Sequence, residues 1–251
     1  MDALLRMERL SKLRPDRPGD YLFRDITTDI APGQRIAVLG ASGQGKSTLL
    51  RILARLDAPS EGTIRLAGRD AGEWKPADWR KRVCYVAQQP VMLPGTVEQN
   101  LRTVSELHAR PFDAGLARRC MNAVGLEALD LKKPAAELSG GEKQRTALVR
   151  SLLLEPDALL LDEATAALDP ASKRAVEQWI GEWSSHRGTA VLWVTHDLEQ
   201  ARLISDTVWY MDENRLLETG RTADFFRGPA TEQARRFIES PQAGKGGGAV
   251  V

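Results

Sequence analysis

Five short segments contain the residues whose types and spacing could do chemistry. In chain order they are GASGQGKST (residues 40–48), Gln88, LSGGEKQR (138–145), LLLDEA (159–164) and His196. Each segment alone is a weak signal, because glycine turns, strand-end carboxylates and single histidines are common in structural roles. Together, in this order, they predict one composite site, and each segment indicates part of its chemistry.

The first segment matches the pattern GxxxxGK[ST], in which glycines let backbone N–H groups converge on an anion at the start of a helix. Lys46 would reach the β- and γ-phosphates of a nucleotide, and Ser47 would place its hydroxyl on Mg²⁺. The apolar run before the loop predicts a strand and the run after it a helix. The loop is therefore predicted to hold ATP through Gly40, Ala41, Ser42, Gly43, Gln44, Gly45, Lys46, Ser47 and Thr48.

Two adjacent carboxylates follow a predicted buried strand. Asp162 would hold Mg²⁺ through water, and Glu163 would orient or deprotonate the water that attacks the γ-phosphate. An Asp-Glu pair alone is more often a solvated strand end. Beside a phosphate loop, the pair predicts hydrolysis.

A second anion-binding helix start lies in LSGGEKQR. Ser139 is a natural helix N-cap, and Gly140 and Gly141 leave the backbone N–H groups of the first turn uncovered. The residues alone also allow a flexible Gly-Gly turn before an amphipathic helix. The chain already has one phosphate loop, so this second site requires an explanation.

Together, the five segments resemble the ATP-binding subunit of an ABC transporter, over about residues 4–220. The resemblance implies that Gln88 contacts Mg²⁺ and the attacking water and that His196 contacts the γ-phosphate. It implies that Asp169 reaches across a dimer, in which Ser139 and Gly141 of one copy close over the nucleotide of the other. ATP and Mg²⁺ are the implied cofactors.

The predicted partners follow from the same resemblance. One nucleotide-binding domain implies an ATP-dependent dimer of two copies. No apolar run approaches the roughly 18 residues of a membrane helix, so transport would require a separate polytopic membrane subunit. The expected location is therefore cytoplasmic, on the inner face of the cell membrane. A net charge of +1 gives no indication of nucleic-acid binding.

A finer resemblance concerns the transported solute. The runs YVAQQPVMLPGTVEQNL (85–101), AELSGGEKQRTALVRSL (136–152) and AVLWVTHD (190–197) are similar to FetA-type subunits, which are ascribed to bacterial iron export. Importer subunits for metals, phosphate or amino acids have much the same design and stay open as alternatives. A soluble ABC ATPase that moves no solute is disfavoured, because the insert before the signature is compact and has no sustained heptads.

One region departs from the family pattern. Adenine usually stacks on an aromatic residue about 30 positions before the loop lysine, but residues 13–20 contain none. Tyr21 lies a few positions late, and the guanidinium of Arg14 or Arg17 could stack on the base instead. We therefore expect looser base selection, with GTP competing against ATP.

The elements that must position these residues can be predicted from hydrophobic patterns. Short strands near residues 4–10, 21–30 and 63–68 form an N-terminal antiparallel β layer. Apolar runs at 35–40, 83–88, 158–163 and 190–196 predict a parallel sheet buried by helices, of which 171–183 is one. A hairpin and two short helices, 222–227 and 231–239, follow.

The predicted fold is α/β: a P-loop NTPase (RecA-like) core with a parallel sheet, an N-terminal antiparallel β layer and an inserted α-helical subdomain. One ATP-binding domain would span residues 1–240, with the helical subdomain at about 91–154 and the β layer and core at about 1–90 and 155–240. Residues 241–251 are predicted to be a flexible tail. Cys84 and Cys120 lack metal-ligand spacing and are expected to be reduced, half-buried thiols.

Overall fold

The computed structural model of the protein describes residues 3–240. Its strands are β1 Leu5–Leu13, β2 Tyr21–Ile30, β3 Arg35–Leu39, β4 Glu61–Leu66, β5 Arg69–Asp70, β6 Val83–Val86, β7 Ala158–Asp162, β8 Ala190–Val194, β9 Thr207–Asp212 and β10 Arg215–Arg221. Its helices are α1 Lys46–Leu53, α2 Pro76–Arg82, α3 Val97–Leu107, α4 Ala114–Ala123, α5 Gly140–Leu152, α6 Pro170–Arg187, α7 Leu198–Ile204, α8 Thr222–Arg227 and α9 Glu232–Glu239. None of the helices in this range is long and apolar enough to cross a membrane.

The strands form two sheets. The first is antiparallel, in the order β2-β1-β4-β5. The second has the order β10-β9-β3-β8-β7-β6, and all its neighbouring pairs are parallel except the β9–β10 hairpin. Because parallel strands end at the same edge, the residues that follow β3, β7 and β8 come together there.

Helix α1 is enclosed by apolar side chains from both sheets. Leu49, Leu50 and Leu53 are fully buried, and they share one core with Phe23 of the first sheet and Leu160 of the second. The strands on both sides of α1 therefore fix the helix that begins at the glycine loop. Burial of each leucine stabilises this packing by about 2 kcal/mol. The packing thereby holds α1, and the end of the loop from which it begins, in place.

Helices α3, α4 and α5 pack on the opposite side of the second sheet, together with α6. Each begins at a side-chain N-cap, provided by Thr96, Asp113, Ser139 and Asp169 respectively. At α3 and α5 the cap is a reciprocal capping box, because the third helical residue bonds back to the N-cap N–H group. These caps set where the four helices start.

The two C-terminal helices, α8 and α9, pack against β3 and β9 of the second sheet. Phe225 is buried there, and Phe226 and Phe237 pack around it with Tyr210 of β9. These phenylalanines therefore serve packing.

The predicted α/β class, with its parallel sheet and N-terminal antiparallel layer, is confirmed. The hairpin and both C-terminal helices are present, and the helix predicted at 171–183 extends from Pro170 to Arg187. Helices α2 and α7 were not predicted, since each has only seven residues. The domain limits stay a prediction, and the tail predicted from residue 241 lies outside the described residues.

The expected half-burial of the two cysteines is wrong, because both thiols are buried. Cys84 lies on the face of β6 that packs against the helical layer, and Cys120 lies on the inner face of α4. Burial raises the pKa of each thiol to about 11, so both are poor nucleophiles at neutral pH.

Candidate active site

The glycine loop connects β3 to α1, and its backbone conformation requires glycine. Gly40, Gly43 and Gly45 all have positive φ, and Gly45 caps α1 in the left-handed region at φ 87°. A Cβ on Gly40 would lie 2.2 Å from the carbonyl oxygen of Met211. The loop is thus pressed against β9, with its N–H groups at the start of α1.

Lys46, the first residue of α1, is only 5% exposed. Its Nζ donates to the carbonyl oxygens of Gly40 at 2.7 Å and Ala41 at 2.8 Å, which holds the ammonium group over the loop. Burial lowers the pKa of Lys46 to about 8, while the carboxylates of Glu163 and Asp162 oppose that shift. The ammonium group is therefore poised for anions and sensitive to alkaline pH.

Gln44 links the loop to the β9–β10 turn. Its Nε2 donates to Asp212 Oδ1 at 2.9 Å, and its Oε1 accepts from the backbone N–H of Asn214 at 3.4 Å. Tyr210 donates to the other oxygen of the Asp212 carboxylate at 2.9 Å. The pattern GxxxxGK leaves the Gln44 position free, so this anchor could not be found from the motif.

Ser47 and Asp162 meet where α1 begins and β7 ends. The Ser47 hydroxyl donates to Asp162 Oδ1 at 2.8 Å, and Asp162 is only 5% exposed. On the other oxygen, Asp162 Oδ2 accepts from the hydroxyl of Tyr85 at 2.8 Å. One oxygen of the Asp162 carboxylate is therefore bonded to α1 and the other to β6, which fixes the orientation of the carboxylate.

Sequence reasoning missed Tyr85. It lies on β6, where alternating side chains place Cys84 and Val86 toward the helices and Tyr85 toward α1 and the first sheet. This alternation was the only available signal, since no motif includes the position. Burial and the bond to Asp162 raise the pKa of Tyr85, so its hydroxyl remains a donor at neutral pH.

Glu163 lies between two polar side chains from separate loops. Gln88 Nε2 donates to Glu163 Oε2 at 2.8 Å, and His196 Nε2 lies 2.9 Å from Glu163 Oε1. The backbone of Glu163 has a φ of 48°, a left-handed conformation that is uncommon outside glycine and costs about 1–2 kcal/mol. Such strain is tolerated where the surroundings fix a functional side chain.

The position of Gln88 corrects one expectation. Gln88 was predicted to end its strand, but β6 ends at Val86 and Gln88 lies two residues beyond it. The chain must leave the sheet at this point for the amide to reach Glu163. His196 likewise lies two residues beyond its strand, because β8 ends at Val194 whereas the predicted run extended to residue 196.

A depression of about 200 Å³ brings several of these side chains together above the loop. It is lined by Leu22, Ser42, Gly43, Gly45, Lys46, Ser47, Thr48, Glu163 and His196. The structure therefore brings the phosphate loop, Glu163 and His196 together in one concave site.

Ser139, Gly140, Gly141 and Asp169 do not line this depression. Ser139 accepts from the N–H of Glu142, and its own N–H donates to the Glu142 carboxylate, so the start of α5 is rigid. Ser139 and Gly140 are exposed, and Gly141 lies beside Leu168. Asp169 is exposed, and its carboxylate caps α6 by accepting from Ala171 and Ser172.

The residues considered for adenine stacking do not line the depression either. The Tyr21 hydroxyl donates to Glu61 at 2.8 Å on the first sheet, and Arg17 is exposed and 3.9 Å from Asp16. Leu22 is the large apolar side chain among the residues that line the depression.

The donor set fits a magnesium ion. Ser47 and Asp162 provide a hydroxyl and a carboxylate oxygen 2.8 Å apart, and Mg²⁺ prefers one or two such ligands, completed by water and phosphate. No group of three or more His, Cys, Asp or Glu side chains suited to a metal occurs among residues 3–240. The donors thus suit an ion that arrives with a nucleotide rather than an all-protein metal cage.

Comparisons with known proteins show the family of this chain. The sequence model of the family described as "ABC transporter" matches residues 23–166. The "Putative ABC transporter ATP-binding protein YjkB" of Bacillus subtilis is 38% identical over 218 residues, 87% of this chain and 86% of YjkB. The "Probable iron export ATP-binding protein FetA" of Escherichia coli is 38% identical over 197 residues, 78% of this chain and 86% of FetA.

A solved structure has the same fold. CbiO1 of Clostridium perfringens, part of the ABC transporter complex cbiONQ, superposes with a TM-score of 0.78 at 28% identity. The match covers 95% of each chain.

Proposed function

This chain belongs to the ABC transporter family, and on that premise we propose that Lys46, Asp162, Glu163, Gln88 and His196 form its ATP-hydrolysing site. The family hydrolyses ATP to power transport, and the chain is an ATP-binding subunit that works with the membrane subunits of a transporter. The observation that carries the residue roles is the Glu163 carboxylate, held by two side chains at the mouth of the phosphate loop.

The roles follow from chemistry and position. The loop N–H groups and Lys46 bind the phosphates, as an anion at a helix start requires. Glu163 accepts a proton from the attacking water, while Gln88 and His196 hold its two oxygens. His196 also lines the depression, where it can donate toward the γ-phosphate.

Mg²⁺ is the metal that this site would hold. Ser47 and Asp162 would hold it, with Gln88 as a further oxygen ligand on the side of Glu163. When bound, the ion neutralises charge on the phosphate oxygens. Tyr85 and Ser47 orient the Asp162 carboxylate for this task.

A second copy of the chain would complete each site. The start of α5 at Ser139, Gly140 and Gly141 does not line the depression above its own phosphate loop, and Ser139, Gly140 and Asp169 are exposed. An exposed helix start with uncovered N–H groups suits the phosphates held by another subunit. ATP would therefore close a dimer with two composite sites, and hydrolysis would release it.

The dimer is tested with Glu163→Gln, which keeps the side-chain shape but cannot accept the proton. We expect hydrolysis to fall by about 10²–10⁴-fold and a stable dimer to form with Mg-ATP on size-exclusion chromatography. Wild-type hydrolysis, or a monomer with Mg-ATP, would contradict the proposed site.

We further infer that the chain acts at the inner face of the cell membrane on a separate polytopic subunit, and that the solute is a metal, with iron export favoured by the FetA relative. One ATP-binding domain spanning residues 1–240, with a helical subdomain at about 91–154, agrees with the three helices that pack there.

Co-purification tests these partners. Tagged Glu163→Gln protein is isolated with Mg-ATP from detergent-solubilised native membranes, and bound proteins are identified by mass spectrometry. A stoichiometric polytopic protein is expected, and metal uptake by vesicles containing it would establish the solute. An importer-type partner would overturn export, and exclusively soluble partners would overturn the transport role.

A further inference from the structure

A buried amide lies behind the two loops that carry Glu163 and His196. Gln200, on α7, is 4% exposed, and its Nε2 donates to Thr165 Oγ1 at 2.8 Å and to Glu177 Oε1 at 2.6 Å. An amide nitrogen has two hydrogens, so both are used. Thr165 follows Glu163 by two residues, and Gln200 follows His196 by four.

On the Glu163 side, this amide supports a strained turn. Glu163 has positive φ, and its N–H donates to the carbonyl oxygen of Val194 at 3.1 Å. Thr165 is 2% exposed, and Gln200 holds its hydroxyl against α7. Loss of the bond between Gln200 and Thr165 would allow the strained turn to relax, and the Glu163 carboxylate would then move.

On the His196 side, the same cluster holds the adjacent residue. Asp197 Oδ1 accepts from the backbone N–H of Gln200 at 3.0 Å, and its other oxygen pairs with Lys173 of α6. Lys173 lies 4.0 Å from Glu177. The loop of His196 is therefore fixed to the same two helices as the turn of Glu163.

The Glu177 carboxylate depends on the hydrogen bond that it accepts from Gln200. Burial raises the pKa of Glu177, whereas the bond from Gln200 and the charge of Lys173 lower it. A half-buried carboxylate that loses such a donor is destabilised, which makes the Gln200 amide hard to substitute.

We propose that Gln200 is a positioning residue for ATP hydrolysis, whose amide fixes the loop of Glu163 relative to the loop of His196. Gln200 does not line the nucleotide depression. It acts through the 2.9 Å contact between Glu163 and His196. This inference rests on the proposed roles of those two residues.

The first test is Gln200→Met, which keeps the length of the side chain and removes its hydrogen bonds. We expect kcat to fall about tenfold with KM for ATP unchanged, because small displacements of reacting groups are costly while the phosphate loop stays intact. The matched control is Gln178→Met on α6, since Gln178 is exposed and donates to Glu182. The control should keep wild-type kcat and KM.

The second test exchanges donor and acceptor. Gln200→Glu alone places a second carboxylate against that of Glu177. It should lower kcat at least as much as Gln200→Met. Adding Glu177→Gln restores one amide and one carboxylate at unchanged net charge, and the Thr165 hydroxyl can donate to the new carboxylate. We expect the double variant to recover kcat to within about twofold of wild type.

Wild-type kcat in Gln200→Met overturns the inference, as does a double variant no more active than Gln200→Glu. If Gln200→Met does not fold, the single and double exchange variants decide alone. Glu163→Gln is measured in parallel to separate the two hypotheses. Full activity of Glu163→Gln overturns the proposed function, whereas an inactive Glu163→Gln beside a fully active Gln200→Met overturns this inference alone.

Discussion

The hydroxyl of Tyr85 donates to Asp162 Oδ2 at 2.8 Å, on the side of the carboxylate opposite Ser47. The bond comes from the neighbouring strand of the parallel sheet, since β6 pairs with β7. It leaves one carboxylate oxygen directed at the Ser47 hydroxyl, where a metal ligand is required.

Tyr85→Phe should therefore weaken the site for Mg²⁺ without altering the fold. Loss of one hydrogen bond to a carboxylate costs about 1 kcal/mol or more, so the Mg²⁺ concentration for half-maximal hydrolysis should rise about fivefold. Direct Mn²⁺ binding with ATP, followed by electron paramagnetic resonance, should weaken similarly. Tyr21→Phe, which loses only its bond to Glu61, is the control. Equal metal affinity in both variants would exclude the role of Tyr85.

ATP binding should depend on pH through Lys46. Its pKa of about 8 means that the ammonium form dominates below that pH and is lost above it. Because phosphate binds the ammonium form, affinity is full below about pH 8 and should fall up to about tenfold per pH unit above it. Titration of the wild-type protein with a fluorescent, non-hydrolysable ATP analogue measures this, because the Glu163 carboxylate itself raises the pKa of Lys46 and must be retained.

Arginine at position 46 gives the matched control, since a guanidinium keeps its charge across this range. Lys46→Arg should bind more weakly overall but with a flat profile. A wild-type dissociation constant that is unchanged from about pH 7 to about pH 9.5 would show that this lysine does not control the affinity.

Base selection should be loose. The Tyr21 hydroxyl is bonded to Glu61, and neither Tyr21 nor Arg17 lines the nucleotide depression. We expect GTP to compete within about fivefold of ATP, a difference of about 1 kcal/mol, in a displacement assay. A strong ATP preference that Tyr21→Ala abolishes would mean that Tyr21 holds the adenine.

Two glycines of the loop should differ sharply in their tolerance of alanine. A Cβ on Gly40 meets backbone oxygen at 2.2 Å, whereas a Cβ on Gly43 has no heavy atom within 4 Å. Gly43→Ala should cost about 1–2 kcal/mol from positive φ alone. Gly40→Ala should cost more than about 4 kcal/mol, because the β9 backbone must move. Similar thermal unfolding midpoints for both variants would contradict this difference.

The part of the site that could be predicted lies in contiguous motifs. Lys46 and Ser47 belong to one loop, and Asp162 and Glu163 belong to one strand end. Within each pair, the arrangement of the two side chains follows from local chain geometry. The fold class was predictable for a similar reason, because strands buried on both faces are uninterrupted apolar runs.

The remainder depends on pairing between distant segments. Tyr85 reaches Asp162 only because β6 and β7 are neighbours, and Gln200 reaches Thr165 only through the packing of α7. No local pattern records either contact. The end of β6 was misplaced because the apolar run continues to Ala87, while the contact that draws Gln88 out of the sheet is made with Glu163.

The bond between Gln44 and Asp212 separates anchoring from binding. Within the loop, the groups proposed to bind phosphate are the backbone N–H groups and Lys46, whereas the side chain of Gln44, at a position the motif leaves free, anchors the loop to the β9–β10 turn. Nucleotide affinity can therefore be adjusted by substitutions at the β9–β10 turn, with all phosphate-binding groups retained. The turn becomes a site at which variants of different ATP affinity can be engineered or selected.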